Sequence, residues 1–259
     1  MMNNIYDTTD LMVHGHVPWL ELPGSHVHAG GTAEIRLYWG REMQPDGLLR
    51  RNNLTAHSLS PGGAWRDLAL FDGGPDRYNL YFSAREDGIY HIVAKHCGSF
   101  IVDSEGNYLP GTRSERPDAC QSACFIQHAQ VFLPVGHHLA AKPLPVGILL
   151  EIVPDIWQLW QVGDEIWLQV QYNGKPLAVS NVDLVCKGGP GGCRQWQETT
   201  DAEGRFGLLA REAGRYLVTA RYHIEQGDAE FQNSLQIATT LSLMVLKKER
   251  QREVQAEHA

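Results

Sequence analysis

The chain has 259 residues, 43 % of them hydrophobic, and carries a formal net charge of -8. That length accommodates two domains of ordinary size or one large β domain. The acidic balance, with no basic run interleaved with aromatics, excludes a nucleic-acid groove, and no apolar stretch approaches the ~20 residues of a membrane-spanning helix.

Residues 1–7 have neither a basic run nor an apolar core, so they predict no secretory leader. Residues 11–20 are apolar and β-branched and read as a strand that carries His14 and His16. On a strand these two imidazoles share one face, while Val13, Val17 and Trp19 share the other. Pro18 cannot donate a ladder hydrogen bond, which places this strand at a sheet edge, open to an ion or a partner. A second His-x-His pair, His26 and His28, sits among glycines and reads as an exposed turn.

Residues 32–39 alternate cleanly, with Ala33, Ile35, Leu37 and Trp39 on one side. Residues 40–59 hold no period and read as a long excursion. Residues 65–71, 78–84, 89–97 and 130–134 read as strands. Between them, Cys124 and His128 are separated by four residues and share a face on either a helix or a strand. His137, His138, Pro143 and Pro145 interrupt the pattern and mark a boundary.

Beyond it, residues 146–153 form an apolar strand, and residues 164–172 alternate up to Asn173-Gly174, whose tolerance of positive φ marks a tight hairpin. Residues 181–186, 204–209, 215–222 and 238–246 complete a second set of strands, the makings of a small sandwich. Cys186 and Cys193 bracket a glycine-rich loop that either a disulfide or a reduced hairpin would close. The pattern predicts a mainly β chain of two β-sandwich domains in tandem, 1–145 and 146–247, with a polar tail at 248–259.

The Gly-x-Ser-x-Gly elbow, the phosphate-binding loop, the dinucleotide glycine motif and His-Glu-x-x-His are all missing. A binding role is therefore expected rather than an enzyme. Of the 12 histidines, ten lie between residues 14 and 138, so a metal site would belong to the first domain. Neutral imidazole suits nickel, cobalt, zinc and copper. The set read as ligands is His14 and His16, with Cys124 and His128 to complete it.

Several motifs carry a family resemblance: His16-Val17-Pro18-Trp19-Leu20, Asp87-Gly88-Ile89-Tyr90, Cys124-Phe125-Ile126 with His128, and Leu150-Glu151-Ile152-Val153-Pro154. The second half adds Asn173-Gly174-Lys175-Pro176-Leu177-Ala178, Thr200-Asp201-Ala202-Glu203-Gly204-Arg205-Phe206 and Ala213-Gly214-Arg215-Tyr216. On these residues the chain resembles the extracytoplasmic proteins grouped as domain of unknown function 4198. Its second half resembles transthyretin-like or carboxypeptidase-regulatory-like sandwiches. The resemblance implies a periplasmic protein that binds nickel or cobalt and serves a membrane metal importer, with His14 or His16 near the mature N-terminus; the missing leader leaves a cytoplasmic location as the alternative. The alternative function is a non-enzymatic module that presents Trp157, Trp160 and Trp167 to a glycan or a protein.

Overall fold

The computed structural model describes residues 15–24, 27–137, 140–189, 192–225 and 234–248. Among these the regular structure is strand, apart from one short 3-10 turn at Arg51–Asn53, and no helix is long and apolar enough to cross a membrane. The first half contributes β1 (Val17–Glu21), β2 (Thr32–Arg41), β3 (Gln44–Pro45), β4 (Leu54–Leu59) and β5 (Trp65–Asp67). It continues with β6 (Leu70–Asp72), β7 (Arg77–Ser83), β8 (Gly88–Val102), β9 (Tyr108–Pro110) and β10 (Gln121–Val135). The second half contributes β11 (Leu150–Pro154), β12 (Trp160–Gln161), β13 (Glu165–Tyr172), β14 (Lys175–Pro176) and β15 (Asn181–Gly189). Last come β16 (Gly192–Thr199), β17 (Arg205–Leu209), β18 (Gly214–Glu225) and β19 (Ser234–Leu246).

One sheet runs through both halves in the order β16-β15-β18-β19-β10-β8-β4-β5. Its halves join where β10 and β19 pair in parallel, from Ala123 opposite Ser234 to Val131 opposite Ser242. A smaller sheet, β1-β2-β7-β6 with β3, covers the first half, and another, β11-β13-β14 with β17, covers the second. The two covers lie on opposite faces. Ala129, Val131 and Leu133 of β10 pack with Ile35, Leu37, Trp39 and Leu80. Leu241 and Leu243 of β19 pack the other way, with Leu150, Ile152, Trp160 and Leu168, because the register sets Leu241 beside Gln130 rather than Val131. Each sandwich thus has its own core, while the two halves share a continuous sheet.

The same device opens both halves of that sheet. The Tyr90 hydroxyl donates to the Glu86 carbonyl at 3.3 Å, and the Tyr216 hydroxyl donates to the Glu212 carbonyl at 2.8 Å. Each accepts in turn from the amide of the residue it bonds. These are tyrosine corners of the kind that fix strand entry in immunoglobulin-like sandwiches, and they explain why Gly88-Ile89-Tyr90 and Gly214-Arg215-Tyr216 look alike.

Some expectations need correction. Residues 40–59 are not a structureless excursion, since they hold β3 and β4, and Gly192–Thr199, outside the expected strands, forms β16. The tryptophans at 157 and 160 are buried in the second core with ring centroids 5.7 Å apart; only Trp167 of that trio is exposed. Of the two closures open to the loop between Cys186 and Cys193, the reduced hairpin is the one present, and all five cysteines are free. The register sets Cys186 opposite Arg194 and Cys193 opposite Lys187, so alternation turns one thiol into the core and the other to solvent.

Candidate functional site

His16 stands just before β1, and the chain around it is held from three sides. β1 is a sheet edge, as Pro18 requires, but it is not open: Val17, Trp19 and Leu20 are buried. Side chains of the central sheet satisfy its outward carbonyls. Gln127 Nε2 donates to the His16 carbonyl at 2.8 Å, Thr240 Oγ1 to the Pro18 carbonyl at 2.7 Å, and Arg221 to the Gly15 carbonyl at 3.2 Å. Gln127 is itself fixed, because its Oε1 accepts from His96 Nδ1 at 3.0 Å in a buried pair.

The His16 ring lies against Trp39, with centroids 4.8 Å apart. Its Nε2 donates to Asp46 Oδ2 at 3.0 Å. Asp46 arrives by the β2–β3 hairpin, where Glu42 and Met43 both take positive φ, 56° and 58°. Such a turn ordinarily prefers Asn-Gly; here Met43 is driven in by burial against Val17, Trp19, Val185 and Leu217. A Cβ at Gly40, at the base of this hairpin, would overlap the Gln44 carbonyl. The Asp46 amide donates to the Trp39 carbonyl at 2.9 Å, which closes the loop.

Because a carboxylate only accepts, Nε2 is the donor in this pair, and in the neutral imidazole the lone pair then lies on Nδ1. That nitrogen is buried and has no hydrogen-bond partner. A buried polar atom left without a partner costs free energy. An imidazole whose far nitrogen bonds a carboxylate is also the usual form of a metal-ligating histidine. Nickel, cobalt, zinc and copper all fit a donor of this kind. His14 lies outside the described residues.

β10 does not bring Cys124 and His128 to this place. Gln127 faces His16, so its neighbour His128 faces the other side of the central sheet. Nor do Cys124 and His128 meet each other, since four residues of strand span about 13 Å; a shared face is not a shared site. His128 lines an open cleft of about 530 Å³ with His57, Trp65, Lys95, Ile126 and Leu149. Burial first, and then the Lys95 charge, holds its imidazole down to about 4. Among the described residues no three His, Cys, Asp or Glu side chains gather around one ion position. Sequence reading missed Asp46, His96 and Gln127; the first lay in the supposed excursion, and the other two act only through the strand register.

Fold and site together define a β-sandwich protein with an ordered histidine–carboxylate pair at the entry of its first edge strand. The family described as "Domain of unknown function (DUF4198)" matches residues 13–224, and the chain belongs to that family. No curated protein matches it. Among solved structures it is similar to a DUF4785 family protein from Legionella pneumophila, at 9 % identity and a TM-score of 0.30, over 78 % of this chain and 51 % of that one. The chain thus spans about half of that protein's length. It is also similar to the adhesin FdeC of Escherichia coli, at 16 % identity and a TM-score of 0.26, over 88 % of this chain and 63 % of that one.

Proposed function

We propose that the chain is a non-enzymatic, extracytoplasmic protein that binds a divalent transition-metal ion and hands it to a membrane importer. The observation that carries this reading is His16: Nε2 is held by Asp46, while Nδ1 is buried and unclaimed. The backbone around the ring is locked by Gln127 and Thr240, so the imidazole is oriented in advance. His14, two residues upstream, is the natural second donor. The choice of nickel or cobalt rests on the family resemblance of the sequence, since imidazole chemistry alone admits zinc and copper equally.

The test is a calorimetric titration of chelator-stripped protein with nickel, cobalt, zinc and copper salts at neutral pH. Saturable binding of at least one ion is expected, and the His14→Ala/His16→Ala variant should lose the tightest class without losing its fold. If none of the four ions binds, the reading fails. A second reading, a recognition module, is supported by the cleft between Trp65 and Leu149 on the opposite face of the sheet. It would be favoured if none of the four ions bound.

A further inference from the structure

Two histidine-bearing turns, far apart in sequence, meet at one end of the central sheet. Val27 forms a parallel bridge with Val135. Its amide donates to the Pro134 carbonyl at 3.2 Å, and the Gly136 amide donates back to the Val27 carbonyl at 2.8 Å. His28 follows Val27 directly, and His137 follows Gly136. The rings of His28 and His137 are 4.6 Å apart between centroids and inclined at 64°, and both residues are exposed.

Backbone contacts fix both positions. The His28 carbonyl accepts from the Gly31 amide at 2.9 Å, and the Gly30 amide donates to the Ala84 carbonyl at 2.8 Å. Gly136 turns the other chain with φ +94°, where a Cβ would come within 2.8 Å of the Asp87 carboxyl carbon. The fold therefore fixes the backbone that carries each imidazole, and the two rings meet edge to face.

An ion that binds one such imidazole meets the second at high effective concentration, which is the source of chelate affinity. The donors are the borderline nitrogens that nickel, copper and zinc favour. We propose that His28 and His137 form an exposed two-imidazole site for a divalent transition-metal ion, distinct from His16. The separation follows from β10: Gln127, which bonds His16, and Val135, which flanks Val27, are eight residues apart (135 − 127), or about 26 Å of strand. With two protein donors, the site leaves coordination positions for water or for a donor that brings or removes the ion. Only the choice of ion rests on the metal-handling reading; the site itself rests on the juxtaposed rings. His26 and His138 adjoin the pair in sequence and lie outside the described residues.

The experiment is a titration of the chelator-stripped full chain with zinc and nickel salts, read by calorimetry and by histidine side-chain NMR with zinc. The variants are His28→Ala/His137→Ala, each single change, His26→Ala/His138→Ala, and His14→Ala/His16→Ala. The expected result is a class of binding that His28→Ala/His137→Ala removes and His14→Ala/His16→Ala keeps. Loss of an orienting partner alone costs about 10–100-fold in metal affinity, so either single change should weaken this class at least tenfold. Unchanged stoichiometry and affinity in His28→Ala/His137→Ala would overturn the proposal, as would a class that vanishes only with His26→Ala/His138→Ala. If His14→Ala/His16→Ala binds as the parent does while His28→Ala/His137→Ala loses a class, the His16 reading fails and this one stands.

Discussion

Acidification from pH 7.5 to 4.5 should remove several kcal/mol of stability from the metal-free chain. Three histidines of the central sheet are buried, His91, His96 and His128, and burial holds each imidazole down to about 4. In the unfolded chain the same groups take up protons near 6.5. Between those values the unfolded state binds more protons than the folded one, so stability falls as pH falls. The contribution is intact above about pH 6.5 and is lost progressively down to about pH 4. Each site accounts for at most about 3 kcal/mol, and three of them rival the roughly 5–15 kcal/mol that stabilises an ordinary domain. Glu151 works in the other direction. Burial raises its carboxyl, so the folded state takes up that proton first and gains stability as the pH drops. One opposing group does not offset three. Urea midpoints at the two pH values, at equal ionic strength, check the result; equal midpoints would contradict it.

Replacing Trp39 by Ala should cost about 3–5 kcal/mol, the usual penalty for emptying a buried aromatic site. Trp39 is among the largest fully buried side chains and packs with Ile35, Leu37, Leu80 and Ile92 in the first core. Its ring is also the wall against which His16 rests, so the same change should loosen the histidine. The conservative variant separates area from polarity. The Trp39 indole N–H is buried without an acceptor, and Trp39→Phe removes that unpaired donor along with some area. Trp39→Phe should therefore lose clearly less than Trp39→Ala by denaturant unfolding. Similar losses for the two variants, or a loss below about 1 kcal/mol for Ala, would show that this core does not depend on the site as described.

Much of the fold was legible because burial on one face leaves a period of two. The alternation from Ala33 to Trp39 reappears as the buried side of β2. Asn173 and Gly174 take φ 50° and 71° in a two-residue hairpin, as their tolerance of positive φ suggests. The hidden features are those set by long-range register. Nothing local announces that β10 and β19 pair in parallel and weld two sandwiches into one sheet. Glu42 and Met43 are poor residues for a positive-φ turn, so the hairpin that delivers Asp46 to His16 carries no local signal.

The candidate site was legible only in part, for the same reason. His16 stood out by its neighbours, but its carboxylate partner depends on a turn and its backbone lock on Gln127. Cys124 and His128 had the right chemistry, yet the strand rise separates them, and parity turns His128 away from His16. His28 was read as one of an exposed pair and His137 as part of a boundary; the bridge between Val27 and Val135, which makes them neighbours, is invisible to any periodicity.

The most direct measurement of the central claim is the nitrogen NMR of the His16 imidazole as zinc is added to chelator-stripped protein. Zinc is diamagnetic and takes imidazole nitrogen readily. The expected result is a stoichiometric shift of Nδ1 to its metal-bound position, while Nε2 keeps its proton and its bond to Asp46. A His16 spectrum that stays unchanged through saturating zinc would contradict the assignment of this residue as a metal ligand.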